Sequence, residues 1–287
     1  MKLLLAVDGS DTAYEAARAV GHFAAPAPLV LLHVIDVPKP AYPMMMPEVA
    51  AEIYATVERS MREDGERLLN RIVSVLPFQA GAVTRRIEVG KPAETILAAA
   101  ERDGIELIVV GARGVGPVKE LVFGSVSHRV ITQAPCPVLV VNRPARSMGH
   151  VLLALQGPED AERALAFLAK QPFKHPPRVT VLTVMPLAQP LWPAGITDSA
   201  LLVEKAVECA RHFVEDVAGR LATLGYEATG EINMGAPGLT IAKRAADAEP
   251  DLIMVGSHGR SGAGRFFLGS VSHTVLHRAP CPVLVVR

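Results

Sequence analysis

Short apolar runs alternate along the chain with longer stretches in which apolar residues recur at a helical period. In the first half the runs are Leu3 to Val7, Leu29 to Ile35, Val83 to Val89, Leu107 to Val110 and Val138 to Val141, each predicting a strand. Between them the periodicity predicts helices over Thr12 to Phe23, Pro47 to Leu76, Ala93 to Arg102 and Ser125 to Gln133. Strands separated by helices of crossover length pair in parallel, and fully apolar runs suit strands covered on both faces. The expected unit is a doubly wound α/β sheet with helices on both faces. Ligands of such sheets sit outside the carboxyl ends of the strands, near the switch in strand order.

The pattern then returns. Gly124-Ser-Val-Ser-His128 is repeated as Gly269-Ser-Val-Ser-His273, and Ala134 to Val141 as Ala279 to Val286, at one offset of about half the chain. At that offset Ile105 to Gly111 matches Pro250 to Gly256, and Val89-Gly-Lys-Pro92 matches Met234-Gly-Ala-Pro237. With small insertions, Leu3 to Gly9 aligns with Val151 to Gly157. The chain is a tandem duplication, with domains expected over 1–142 and 150–287 and a linker across Asn142 to Gly149.

Composition narrows the partners. The 287 residues are 50% hydrophobic, enough for a buried core, and 29 basic side chains balance 29 acidic ones. Zero net charge and few aromatics disfavour a nucleic-acid binder. No long uncharged apolar stretch suggests a membrane span, and the apolar start at Leu3 is too short for a signal core. Three cysteines, Cys136, Cys209 and Cys281, fit no disulfide or zinc framework, so a reducing, cytoplasmic location is expected. Cys136 and Cys281, each between two prolines, read as small buried hydrophobes.

Candidate chemistry follows the fourth strand of each half: Gly111-x2-Gly114-x9-Gly124-Ser125, and Gly256-x2-Gly259-x9-Gly269-Ser270. A glycine closing a buried strand lets the backbone approach a ligand. The Gly-Ser pair then opens a helix, where Ser125 can cap and free amides with the helix dipole make an anion site. The same glycines would also serve plain tight turns between strand and helix.

These motifs resemble those of the universal stress protein family in its tandem form. They include Ala6-Val-Asp-Gly-Ser10 ending the first strand, His33-Val34 ending the second, the spaced glycines, and the Ala-Pro-Cys-Pro-Val-Leu-Val-Val terminal strand. The resemblance implies five-stranded sheets of order 3-2-1-4-5 and a fold that binds ATP in many members, serving stress physiology without an assigned reaction. Carried onto this sequence, it implies a nucleotide site at Asp8, Val34, Gly111, Arg113, Gly114, Gly124, Ser125, Val126 and Ser127. Asp8 would meet ribose hydroxyls or a phosphate-bound divalent ion such as Mg2+, and backbone at Val34 would meet adenine. Asp8 with Gly9 and Ser10 can equally cap the first helix. His33 reads as a packed strand-end histidine, and Lys119 as a loop cation near phosphate.

The second half departs from the pattern. Gln156 stands where Asp8 does, and Thr183-Val184 replaces His33-Val34, while Gly256, Gly259, Gly269, Ser270 and Val271 keep the phosphate end, with His258, Arg260 and Arg265 as donors. The second site is expected to be weaker or different. Equally, both can bind, because most contacts are backbone ones.

No G-x4-G-K-[ST] loop, G-x-G-x-x-G fingerprint or pyrophosphate-binding Ser-Gly-Gly turn is present, and no catalytic constellation emerges. Ser127-His128 and Ser272-His273 are helix neighbours pointing about 100° apart. The expectation is an ATP-binding regulator or sensor acting through unidentified protein partners. The alternatives are a slow ATP hydrolase or phosphotransferase and a nucleotide-free interaction module. The apolar terminal strands invite edge pairing, within the chain as a pseudo-dimer and further as a homodimer. Pro38 to Pro47, with Met44 to Met46, reads as an ordinary mobile insertion, with a lid over adenine or a partner surface as the alternatives.

Overall fold

A computed structural model describes residues 1–24, 28–38, 46–77, 83–114, 123–186, 199–257 and 268–287. The chain divides into two compact units, Met1–Gly21 with Ala25–Pro144, and His22–Ala24 with Ala145–Arg287. Most of the Met44 to Met46 insertion lies outside the described residues.

The first unit runs β1 (Leu3–Val7), α1 (Asp11–Ala19), β2 (Leu29–Ile35), α2 (Pro47–Val75), β3 (Val83–Val89), α3 (Pro92–Asp103), β4 (Leu107–Gly111), α4 (Ser125–Gln133) and β5 (Val138–Val141). Its strands are all parallel, in the order β3-β2-β1-β4-β5. The second unit repeats this with β6 (His150–Ala154), α5 (Pro158–Leu168), β7 (Arg178–Met185), α6 (Ser199–Thr223), β8 (Ala228–Met234), α7 (Pro237–Ala248), β9 (Leu252–Gly256), α8 (Ser270–Arg278) and β10 (Val283–Val286). Its order is β8-β7-β6-β9-β10, again parallel throughout.

Burial explains the apolar runs. Every residue of β1 and β5 is buried, with helices on both faces, whereas β3 at the edge carries exposed Thr84 and Arg85 and half-buried Glu88. Those charges blunt the open edge, and Arg102 pairs with Glu88 at 2.7 Å. Helix α1 buries Ala13, Ala16, Ala17 and Ala19, small side chains that let it lie close to the sheet. In the second unit Tyr226 is buried, its hydroxyl donating to the Leu168 carbonyl at 2.8 Å, and burial pushes its phenol up to about 12. Cys136 and Cys281 are buried as expected, and Cys209 is exposed. Among the described residues no helix is long and apolar enough to cross a membrane.

One boundary is corrected. The α-helix expected to reach Phe23 ends at Ala19 and tightens into a 3-10 turn over Val20–His22. Pro77 packs against Gly21, its Cβ only 3.1 Å from where a side chain on Gly21 would begin. The chain narrows there to let a distant segment in.

Candidate functional site

In a parallel sheet the strand register sets which residues share an edge. Val7 pairs with His33, Val34 with Glu88, and Gly111 with Val141, so Asp8, Val34 and Gly111 leave adjacent strands at the same carboxyl end. The strand order reverses between β1 and β4, which opens the crevice expected of this architecture.

Gly9 takes φ 83°, a left-handed turn that suits glycine, and turns the chain sharply from β1 into α1. Asp8 does not cap α1. The cap is Ser10, whose Oγ accepts from the Ala13 amide at 3.3 Å, while Asp8 Oδ1 accepts from the Ser10 amide at 3.1 Å and its hydroxyl at 2.7 Å. The other Asp8 oxygen faces Gly114: a Cβ there would stand 2.5 Å from Oδ2. His33 is packed as expected, its Nδ1 2.8 Å from the Val7 carbonyl oxygen.

The loop leaving β4 is fastened at two points. Thr12 Oγ1 and Ser10 Oγ lie 2.5 and 2.9 Å from the Arg113 carbonyl oxygen. At the far side, the Gly124 amide donates to the Ala112 carbonyl at 2.9 Å and buried Ser127 donates to the same oxygen at 2.8 Å. These bonds bring Asp8, Gly111, Arg113, Gly114 and Gly124 together. Ser125 does not cap α4: Gly124 holds the cap position with no side-chain bond, and Ser125 is the first, exposed, helical residue. Among the described residues the start of α4 carries no side-chain cap and no acidic residue in its first turn to offset the helix dipole. Ser127→Ala removes the donor to a buried carbonyl, so it is expected to cost about 1–3 kcal/mol in a urea titration, against a few tenths for Ser125→Ala.

The second unit rebuilds the cleft with different side chains. A cleft of about 280 Å3 is lined by Gln156, Asp160, Val184, Pro237, Gly256, Gly269, Ser270 and Val271, among others. The Gly269 amide donates to the Ser257 carbonyl at 2.9 Å, and Ser272 Oγ donates to the Gly256 carbonyl at 2.5 Å. Helix α8 also starts at a glycine without a side-chain cap or an acidic first turn. Gly259, His258, Arg260 and Arg265, like Lys119, lie outside the described residues.

Asp160 is the residue that sequence reasoning missed. Leu3 pairs with Leu107 and Val151 with Leu252, so Thr12 and Asp160, nine residues further on in each unit, occupy matching places. Thr12 covers Gly111 and Asp160 covers Gly256. Pro158, standing where Ser10 caps α1, starts α5 one residue earlier, with Gly157 extended before it. The carboxylate lost at Gln156 is thus regained one helical turn away and buried to 8% exposure. Its sequence signal, an acidic pair after proline, is the ordinary mark of a helix start. Among the described residues no cluster of three or more His, Cys, Asp or Glu side chains could hold a metal.

The likeness to known proteins covers both units. A universal stress protein from Mycolicibacterium smegmatis is 27% identical over 99% of this chain and 96% of its own length. A universal stress protein from Thermus aquaticus is 37% identical over 48% of this chain and 96% of its own. The crystal structure of a universal stress protein from Archaeoglobus fulgidus shares the fold with a TM-score of 0.65 at 21% identity, covering 99% of this chain and 95% of that one. The family model described as the universal stress protein family matches residues 1–142 and again 148–287. The chain belongs to the universal stress protein family, with two such domains in tandem.

Proposed function

We propose that the first unit binds ATP and that the chain acts in the cytoplasm as a nucleotide-responsive regulator working through protein contacts. The observation that carries this reading is the uncapped start of α4, tied by Gly124 and Ser127 to the end of β4 and faced by Asp8 across Gly114. Backbone amides there can hold phosphate without net positive charge on the protein. Asp8 can accept from ribose hydroxyls, and the backbone at Val34 lies at the end of the neighbouring strand, where a base edge can be read. A divalent ion would be held mainly by the nucleotide's own phosphates, with Asp8 as the carboxylate on this chain, and would supply charge neutralisation.

Gly124→Leu tests the reading. Among the described residues a Cβ at Gly124 meets nothing closer than 3.4 Å, so these accommodate the side chain while the cradle is filled. Equilibrium dialysis with ATP should show binding to the unaltered chain and at least a tenfold weaker association at the first unit in the variant. Equal binding by both proteins would remove the glycine motif from the site.

A further inference from the structure

On α8 the lining of the second cleft ends at Ser272, and a pair of histidines follows that the cleft does not use. His273 and His277 stand four residues apart, so both rings lie on one face of the helix. That face is not the packed one: Ser272, Val275 and Leu276 are buried, whereas His273 is exposed and His277 half-buried. The two ring centroids are 4.4 Å apart and the planes are tilted by 42°.

Histidines one helical turn apart can reach the same ion. Imidazole nitrogens ligating at about 2.0–2.1 Å, with the two bonds near a right angle, hold their ring centroids roughly 4.5 Å apart. The rings of α8 already stand at that separation. Each ring has two nitrogens, so a hydrogen bond at one leaves the other to ligate, and such a bond orients the ring for the metal. His277 also lies in the last turn, where the negative end of the helix dipole favours a cation, and its neighbour Arg278 leaves the helix about 100° away. The fold does not dictate this pair. At the matched places on α4 stand His128, exposed, and Thr132, half-buried, whose hydroxyl donates to the His128 carbonyl at 2.7 Å.

We propose that His273 and His277 form a two-histidine site for a divalent transition-metal ion of the imidazole-preferring class, Cu2+, Ni2+ or Zn2+, and not for a hard cation such as Mg2+. No third His, Cys, Asp or Glu joins them among the described residues. Water completes the coordination, which makes the site exchangeable, unlike a closed four-ligand structural centre. The proposal is independent of nucleotide binding.

The test uses the untagged full chain carrying Cys209→Ser, so that the exposed thiol takes no metal, titrated calorimetrically with Ni2+ and separately with Mg2+ at neutral pH. The site should take up Ni2+ and not Mg2+. His273→Gln and His277→Gln should each weaken its Ni2+ binding at least tenfold, because either change leaves a single arm of the chelate. Adding Thr132→His, which sets a second histidine one turn after His128, should create one further Ni2+ site. No Ni2+ bound by the parent, a loss in only one of the two glutamine variants or in neither, or Mg2+ taken up as tightly and lost in the same variants would each overturn the proposal. Where a glutamine variant also melts earlier without metal, the gain decides: a further Ni2+ in the Thr132→His protein supports the pair as ligands, and none overturns it.

Discussion

Gly111→Ala is expected to destabilise the first unit by about 3 kcal/mol or more, whereas Gly114→Ala should leave its stability nearly unchanged and weaken ATP binding at least tenfold. The difference lies in what each new methyl group meets. At Gly111 it would stand 2.5 Å from Thr12 Oγ1, 2.8 Å from the Thr12 backbone carbon and 2.9 Å from the Ala13 amide nitrogen. Backbone at the start of a packed helix cannot rotate away, so α1 must lift off the end of β4. That movement also breaks the bonds from Thr12 and Ser10 to Arg113. At Gly114 the methyl meets, among the described residues, only the Asp8 carboxylate, at 2.5 Å from Oδ2 and 3.7 Å from Cγ. Asp8 is exposed and can swing out, giving up its bonds to Ser10, each of small value in water. The fold tolerates this movement, but it takes the carboxylate out of the nucleotide's reach. Urea titration and equilibrium dialysis of the two variants would separate the effects. Equal losses of stability would show that the loop after β4, and not its contact with α1, sets the cost.

The contrast indicates which parts of this molecule can be read from residues alone. Central strands such as Leu107–Gly111 were legible because burial on both faces demands an unbroken apolar run, a local signal. The end of α1 was not, because Gly21 matters through Pro77, more than fifty residues away in sequence. Within the site, the spaced glycines marked where the loop leaves β4, but Ser125 was read as the cap of α4, and the cap of α1 stayed open between Asp8 and Ser10. Asp8 and Ser10 are both good caps, and the choice between them depends on the left-handed turn at Gly9. Ser125 lost its expected role because Gly124 already holds the extended geometry before α4. Asp160 stayed hidden for a different reason. Alignment drew the eye to Gln156, where the carboxylate is missing; the same offset matches Thr12 with Asp160, but only the folded sheet shows that each lies over the glycine ending its neighbouring strand.

Gly65→Leu and Gly230→Leu should each cost about 2–3 kcal/mol, because the two units give the same kind of contact its clearance from opposite sides. In the first unit the glycine is on the helix. A Cβ on Gly65 of α2 would stand 2.9 Å from His33 Cδ2 and 3.1 Å from Ile87 Cδ1, on β2 and β3. In the second it is on the strand: a Cβ on Gly230 of β8 would meet Val214 of α6 at 2.7 Å from Cγ2 and 3.2 Å from the backbone carbon. Val214 is 1% exposed and has nowhere to move. Glycine inside a helix ordinarily costs about 1 kcal/mol relative to alanine, so Gly65 is tolerable only because something larger would collide. Gly219 of α6 provides the control. Among the described residues nothing lies within 4 Å of its Cβ position, and Gly219→Ala should stabilise the second unit by about 1 kcal/mol. The first-unit variant carries a second consequence. His33 is held by the Val7 carbonyl at 2.8 Å, one residue before Asp8, so a leucine pushing the imidazole aside disturbs the strand end that presents the site. Gly65→Leu should therefore lose ATP affinity as well as stability, while Gly230→Leu should leave ATP binding at the first unit unchanged. Urea midpoints and dialysis on the three variants would check this. A Gly65→Leu protein that unfolds at the native midpoint would mean that α2 has room to slide, and that its close approach does not fix His33.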